Sequence, residues 1–324
     1  TAMILTEEKN YTISLEKEES DSENGLTGNT IELEFSNKEL LHEIITCGMP
    51  VQRLTVAYPE KKRLEMLYKM FVVEMALDTE GDRLKKSQKT AYLDSSEKSV
   101  ISYYMGMFFT KLISHRLYGD EYLTHLNLIK KMDHSEYNDF FASEWRPEML
   151  GYNPVDGRWS AWEAKGGSNR REQALKKGTQ QLKAIGTLNG VKPDPAVVCM
   201  TYYDHSYLCG ILRQASGKAD GEPVQFHTED YFEAYYHPIR ELFFDRESSL
   251  RLYDSFAEVT FTIPYFSENQ EQTEERRIQI GMSRELLQKL MDADYKVIAE
   301  MRKKADKEKC PEGAYMGADG IYIR

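Results

Sequence analysis

Residues 146–165 read RPEMLGYNPVDGRWSAWEAK. A Pro-Glu pair stands at 147–148, and Glu163-Ala164-Lys165 closes a run in which apolar and polar residues alternate. On an extended strand, side chains point alternately to its two faces. Trp159, Ala161 and Glu163 therefore share one face of RWSAWEA, Ser160, Trp162 and Ala164 share the other, and Lys165 continues the Glu163 face. Asn153-Pro154-Val155-Asp156-Gly157 has hairpin-turn chemistry. The preceding EMLGY (148–152) then runs back antiparallel, and a register pivoting near Val155 sets Glu148 beside Glu163. Two carboxylates so placed lie within reach of one divalent cation.

The letters alone carry little. Glu-x-Lys recurs at 7–9 and 60–62, and Pro-acid pairs recur at Pro59-Glu60, Pro193-Asp194 and Pro311-Glu312. Those copies lack the strand pattern and read as solvated charge pairs. At 146–165 the chemistry has a use for each residue type. Mg²⁺ takes oxygen ligands and keeps several waters, so Glu148, Glu163 and the Ala164 carbonyl are its expected ligands. Such an ion polarises a phosphate and acidifies a water. Lys165 would orient or deprotonate that water and offset developing negative charge. Gly166-Gly167 permits close approach of another backbone, and Ser168 or Asn169 is the expected cap of a helix over 169–188. At about 100° per residue, Asn169, Gln173, Lys177 and Gln180 fall on one polar arc of that helix. Ala174, Gly178, Leu182 and Ile185 form the core-facing arc. Arg146, Asn169, Arg170, Gln173 and Lys177 are the candidate contacts to a nucleic-acid backbone.

The 324 residues suffice for one large or two ordinary domains. A hydrophobic content of 41% with 29% charged residues is that of a globular chain, and no stretch is apolar enough to span a bilayer. No basic-then-apolar leader opens the sequence, and a cytoplasmic location is expected. Cys47, Cys199, Cys209 and Cys310 show no CxxC spacing and the seven histidines are scattered, so no structural zinc site is expected. The net charge of −11 argues against a nucleic-acid coat protein, but its distribution is uneven. Seven acids lie within 1–24, whereas seven bases against the single acid Glu172 lie within 165–192. The basic segment directly follows the two-carboxylate strand pair.

Elsewhere, 10–17 and 30–36 read as an antiparallel pair with an acidic connection, and Ser36-Asn37 caps a helix ending at Gly48. Residues 58–118 read as mostly helical, with 99–118 a core helix. Strands are expected at 122–129, 195–203, 206–214, 257–265 and 275–281, helices at 228–243 and 283–307, and a closing hairpin at 314–323. The layout is an α/β fold: 1–95 a β-hairpin plus helical region, 96–225 a central mixed α/β core, and 226–324 a C-terminal α/β extension. His125 reads as a core histidine and Asp204-His205 as a hairpin turn. The aromatics Tyr231, Tyr235, Tyr236, Phe243 and Phe244 read as helix packing. The acidic segment 1–24 reads as loop chemistry rather than an autoinhibitor of the basic groove.

Pro147-Glu148, Glu163-Ala164-Lys165 on the next strand, and a helix bearing Lys177 and Gln180 or Gln181 together resemble the PD-(D/E)xK nuclease superfamily. The likeness spans roughly 99–215, and RPEMLG followed by WSAWEAKG is similar in particular to uncharacterised bacterial members. It implies a restriction-endonuclease-like mixed sheet flanked by helices, with Mg²⁺ or Mn²⁺ as cofactor for phosphodiester hydrolysis. By that resemblance Glu148 and Glu163 are metal ligands, Lys165 is the catalytic lysine, and Gln180 or Gln181 is an auxiliary active-site residue. Two departures stand out. The first acid is Glu rather than the commoner Asp, and the 99–118 helix lacks the upstream acid of many members, leaving Glu121 or His125 as substitutes. The implied role is cleavage of DNA in bacterial defence, restriction or repair. The alternatives are a catalytically silent scaffold that binds nucleic acid or a partner subunit, and an RNA-directed nuclease. Implied partners are DNA or RNA, a second copy of the chain, or a companion defence subunit such as an ATPase, and none is a membrane.

Overall fold

The hairpin register follows directly from its turn. Gly157 takes a left-handed φ of 70° and donates to the Asn153 carbonyl at 2.9 Å, while the Asn153 and Asp156 side chains accept from the Val155 and Arg158 amides. Asn153 therefore pairs with Arg158 and Met149 with Trp162, so the register carried one step further brings Glu148 opposite Glu163.

The computed structural model describes residues 3–18, 29–48, 61–132, 145–215, 221–244, 250–266, 273–303 and 310–324. In chain order these form β1 (Asn10–Glu18), β2 (Asn29–Ser36), α1 (Asn37–Thr46), α2 (Lys61–Ala76), β3 (Leu77–Glu80), β4 (Arg83–Lys86) and α3 (Ser95–Tyr118). Next come β5 (Tyr122–His125), α4 (Leu126–Met132), β6 (Met149–Asn153), β7 (Arg158–Gly166), α5 (Glu172–Lys183), β8 (Ile185–Leu188), β9 (Ala196–Asp204) and β10 (Tyr207–Gln214). The chain ends with β11 (Glu222–Val224), α6 (Thr228–Phe244), β12 (Arg251–Leu252), β13 (Phe256–Phe266), β14 (Thr273–Ser283), α7 (Arg284–Met291), α8 (Tyr295–Lys303), β15 (Tyr315–Met316) and β16 (Ile321–Ile323).

The fold is mixed α/β. Among the described residues, nine strands make one mixed sheet whose main path runs β2-β1-β4-β10-β9-β7-β6-β5, with β3 paired to β4. The segment that carries the site is α3, then the antiparallel meander β5-β6-β7, then α5 crossing to β9, which is parallel to β7. The N-terminal hairpin joins this same sheet, because β1 pairs in parallel with β10. A second sheet, β12-β13-β14-β16-β15, carries the C-terminal residues. One hydrophobic cluster runs through all of it, from Ile13 and Leu41 through Phe109 and Trp162 to Tyr235 and Ile280.

Helix α3 is started by a capping box between Asp94 and Glu97 and stopped by Gly119 at φ 69°. Its residues Met105–Ser114 are all buried, because it lies on β7 and β9 and is itself covered by α1 and α2. Gly106 and Gly166 make that contact close: a Cβ on Gly166 would fall 1.8 Å from the Ser102 carbonyl oxygen, and one on Gly106 2.8 Å from the Lys165 carbonyl carbon. Helix α5 covers the opposite face of β7, where Gly178 rests on Val198 and on the Glu163 side chain.

Several expected elements are corrected. The helical reading of 58–118 is interrupted by the β3–β4 hairpin, which turns at Gly81 with φ 64°. The strand over 122–129 stops at His125, whose Nδ1 accepts from the Asn127 amide and starts α4. The helix over 169–188 is only Glu172–Lys183: neither Ser168 nor Asn169 caps it, Arg171 is its N-cap without a side-chain bond, and Ile185–Leu188 leave to pair with β11. The long helix over 283–307 is broken at Ala293 (φ 53°), and Asp294 accepts from the Val297 amide to begin α8. The acidic connection at 19–28, residues 58–60 and residues 304–307 lie outside the described residues. Tyr231, Tyr235, Tyr236 and Phe243 are buried, as helix packing requires.

Gly166→Ala is expected to destabilise the protein by about 3 kcal/mol, since α3 must shift off β7. Gly157→Ala has open space around it and is expected to cost about 1 kcal/mol through its left-handed backbone. Urea unfolding of the two variants checks that order.

Candidate functional site

Glu163 sits near the end of β7 with its side chain fully buried. Its Oε2 accepts the Glu148 backbone N–H at 2.9 Å, and its Oε1 accepts from Lys165 Nζ. The Lys165 side chain is one-fifth exposed, and its ammonium also donates to Gln181 Oε1 at 3.2 Å. Gln181 Nε2 donates in turn to the Arg146 carbonyl at 3.0 Å. Three elements are thereby tied together: the chain entering β6, the end of β7, and α5.

The Glu148 side chain reaches the same place without a donor for its Oε2, which is buried without a hydrogen bond. Burial, then the neighbouring Glu163 charge, pushes the Glu148 carboxyl well above the usual range, with Lys165 opposing. Burial also raises Glu163, against the pull of Lys165. Two adjacent carboxylates sharing one lysine leave the ionised pair short of positive charge. A divalent cation fits that deficit: the donors are hard oxygens, and one of them is buried and unsatisfied. Glu148 and Glu163 are the residues that would hold it, and Ala164 lines the same cleft.

That cleft, about 440 Å³, opens between β7, the loop after it and the first half of α3. Lys98, Ser102, Tyr103, Lys165 and Arg171 are among its walls. Reading 99–118 as a core helix missed this polar face, although Ser99, Ser102, Tyr103 and Gly106 recur at helical spacing. Burial, with the Glu148 charge second, keeps the Tyr103 phenol protonated. The upstream helix thus lends the cleft hydroxyls and a lysine, and among its described cleft-lining residues there is no acid.

Gln181 is the glutamine that enters the site, whereas Gln180 is exposed. Asn169, Gln173 and Lys177 are exposed beside it. Arg146 is half-buried and donates to Asn127 Oδ1 at 2.5 Å. Arg170 is engaged elsewhere: its guanidinium pairs with Glu16 and Glu18 on β1. This backbone-contact candidate thus also ties the post-β7 loop to the N-terminal strand. The substitutes for the upstream acid are also turned away. Glu121 faces His42 and His115, and the His125 ring accepts from the Asn127 amide. Comparison of this chain with family models, with curated proteins and with solved structures finds no match.

The raised Glu148 carboxyl has a definite sign. The folded protein keeps a proton that the unfolded chain releases, so stability should fall as pH rises between about 4.5 and about 8. In thermal melts across that window, Glu148→Gln is expected to flatten this part of the slope. Mg²⁺ should raise the melting temperature of the unsubstituted protein most at the alkaline end, where both carboxylates are ionised.

Proposed function

We propose that the protein is a metal-dependent nuclease that hydrolyses phosphodiester bonds, with Glu148, Glu163, Lys165 and Gln181 as its active site. The observation that carries this reading is the convergence of two under-neutralised carboxylates and one lysine at the end of a strand, with Glu148 and Lys165 lining a cleft. An Mg²⁺ or Mn²⁺ ion bound by the two carboxylates would supply the polarised phosphate and acidified water that phosphodiester hydrolysis requires.

The chain's own groups have separate tasks. Lys165, anchored by Glu163 and Gln181 and lining the cleft, would position the attacking water and offset charge developing on phosphorus-bound oxygens. Gln181 holds Lys165 on one side and the chain before Glu148 on the other, which limits the freedom of both groups. Gly167 borders the cleft with little side-chain bulk, leaving room for a sugar-phosphate backbone. Lys98 and Arg171 on the cleft walls, with Lys177 exposed on α5, suit phosphate contacts.

The order α3, β5-β6-β7, α5, β9 supports the resemblance to PD-(D/E)xK nucleases and, with it, DNA as the substrate in bacterial defence, restriction or repair. Such an enzyme would act in the cytoplasm, as a homodimer or with a companion subunit such as an ATPase.

Purified protein incubated with plasmid, linear DNA and RNA should cut DNA with Mg²⁺ or Mn²⁺ and not with EDTA. Lys165→Ala and Glu163→Ala should each lower the rate by about 10²–10³-fold. Cleavage of RNA alone would move the assignment to an RNA-directed nuclease. Nucleic-acid binding without cleavage, unchanged in Glu163→Ala, would overturn the reading in favour of a silent scaffold.

A further inference from the structure

A second group of ionisable side chains lies where α1, the start of β5 and the C-terminal hairpin meet. His42 on α1, Glu121 before β5 and Asp319 between β15 and β16 are all buried. His42 and Asp319 stand 277 positions apart in the sequence, yet His42 Nε2 lies 3.1 Å from Asp319 Oδ1. The same nitrogen lies 3.7 Å from Glu121 Oε1. Neighbouring ligands of a tetrahedral ion with bonds of roughly 2.0–2.1 Å stand roughly 3.3–3.4 Å apart, and these spacings straddle that value.

Two further observations mark the place as a ligand position rather than a chance grouping. Glu121 is almost wholly buried, its Oε2 faces His115 Nε2 at 2.7 Å, and its Oε1 accepts no hydrogen bond. Gly317 leaves the centre unfilled: a Cβ there would stand 2.5 Å from His42 Nε2 and 2.6 Å from both Asp319 Oδ1 and Glu121 Oε1. Three donor atoms from three separate elements thus surround one point that the glycine keeps free of side chain.

We propose that His42 Nε2, Glu121 Oε1 and Asp319 Oδ1 form a second metal site, distinct from the Glu148–Glu163 pair, for a borderline divalent ion such as Zn²⁺. Nitrogen among the donors selects against Mg²⁺ and for the zinc class. The surrounding groups suit that assignment. Glu43 Oε1 lies 3.5 Å from His42 Nδ1, where a carboxylate orients a ligating imidazole and leaves Nε2 for the metal. Asp319 is already aligned, its Oδ2 accepting from Tyr235 and its Oδ1 from the Ile321 amide. The proton on His42 Nε2 leaves to solvent when the ring ligates. Lys111, 3.7 Å from Glu43 Oε2, and His115, 2.7 Å from Glu121 Oε2, remain to balance the outer carboxylate oxygens. Because the ligands come from α1, the β5 side and the C-terminal hairpin, the bound ion would fasten the second sheet to the first.

The test uses the full chain carrying Glu163→Gln, so that the catalytic pair does not compete. The protein is stripped with EDTA, freed of chelator and titrated with Co²⁺ as a visible-absorption probe, then with Zn²⁺. One equivalent of Co²⁺ should give an absorption band characteristic of low coordination number, and one equivalent of Zn²⁺ should abolish it. In the same background, His42→Gln and Asp319→Asn should each weaken binding at least about 100-fold. Circular dichroism reports whether each variant folds. Absence of stoichiometric Co²⁺ and Zn²⁺ binding by the Glu163→Gln protein overturns the proposal whatever the variants do. Undiminished binding in a folded His42→Gln overturns it too.

Discussion

The buried carboxylate of Glu163 is the constraint on which the site depends. One oxygen holds the backbone of the chain entering β6 and the other holds Lys165. A charge removed from water costs several kcal/mol unless paired and hydrogen-bonded. Its partners here come from the neighbouring strand and from two residues along its own, and Gln181 on α5 closes the ring. The position of Glu148 follows from the same bond, because its amide is the donor. On the register that the turn sets, lysine orientation and the seating of α5 against the hairpin are thus tied to one side chain. Two glycines let the flanking helices come close enough to shield it, Gly106 through α3 and Gly178 through α5.

Buried charge is treated in two ways in this molecule. In the cluster of His42, Glu43, Lys111, His115, Glu121 and Asp319, three carboxylates face two imidazoles and an ammonium, so the group is close to neutral when both rings are protonated. The carboxylates draw those rings upward, His42 to about 10 and His115 to about 11, despite burial. At the end of β7, two carboxylates share one lysine, and both are pushed upward instead. At the second place no internal cation makes up the balance, whereas in the first the ring protons supply the positive charge that a bound ion would replace. The acidic strand β1 adds to the contrast. Glu16 and Glu18 take up Arg170, and Glu18 also pairs with Arg213, so part of the basic segment after β7 is spent on architecture.

Much of the site was legible because it is local. The alternation in RWSAWEA, the Asn153–Gly157 turn and the spacing of Glu148, Glu163 and Lys165 all lie within one hairpin, where the side-chain period of two leaves a single register that faces both acids the same way. The helix over 169–188 was placed but not bounded. Its polar arc suggested Gln180, whereas Gln181 is the residue turned to Lys165, because a helix starting at Glu172 and seated on Gly178 presents that position to the strand. The pairing of Arg170 was not legible, because nothing in its neighbourhood of sequence announces Glu16 and Glu18, more than 150 positions away.

By itself, then, the sequence determined the mixed α/β class, the hairpin and the pairing of its two acids with a lysine. These depend on backbone periodicity and turn chemistry, which act over a few residues. It took the folded chain to show which glutamine reaches Lys165, which bases are already paired, that Ser102 and Tyr103 of α3 wall the cleft, and that His42, Glu121 and Asp319 meet. Those outcomes depend on close approach between elements distant in the chain. Composition and spacing do not encode such contacts, which arise only when burial of one shared core brings the elements together.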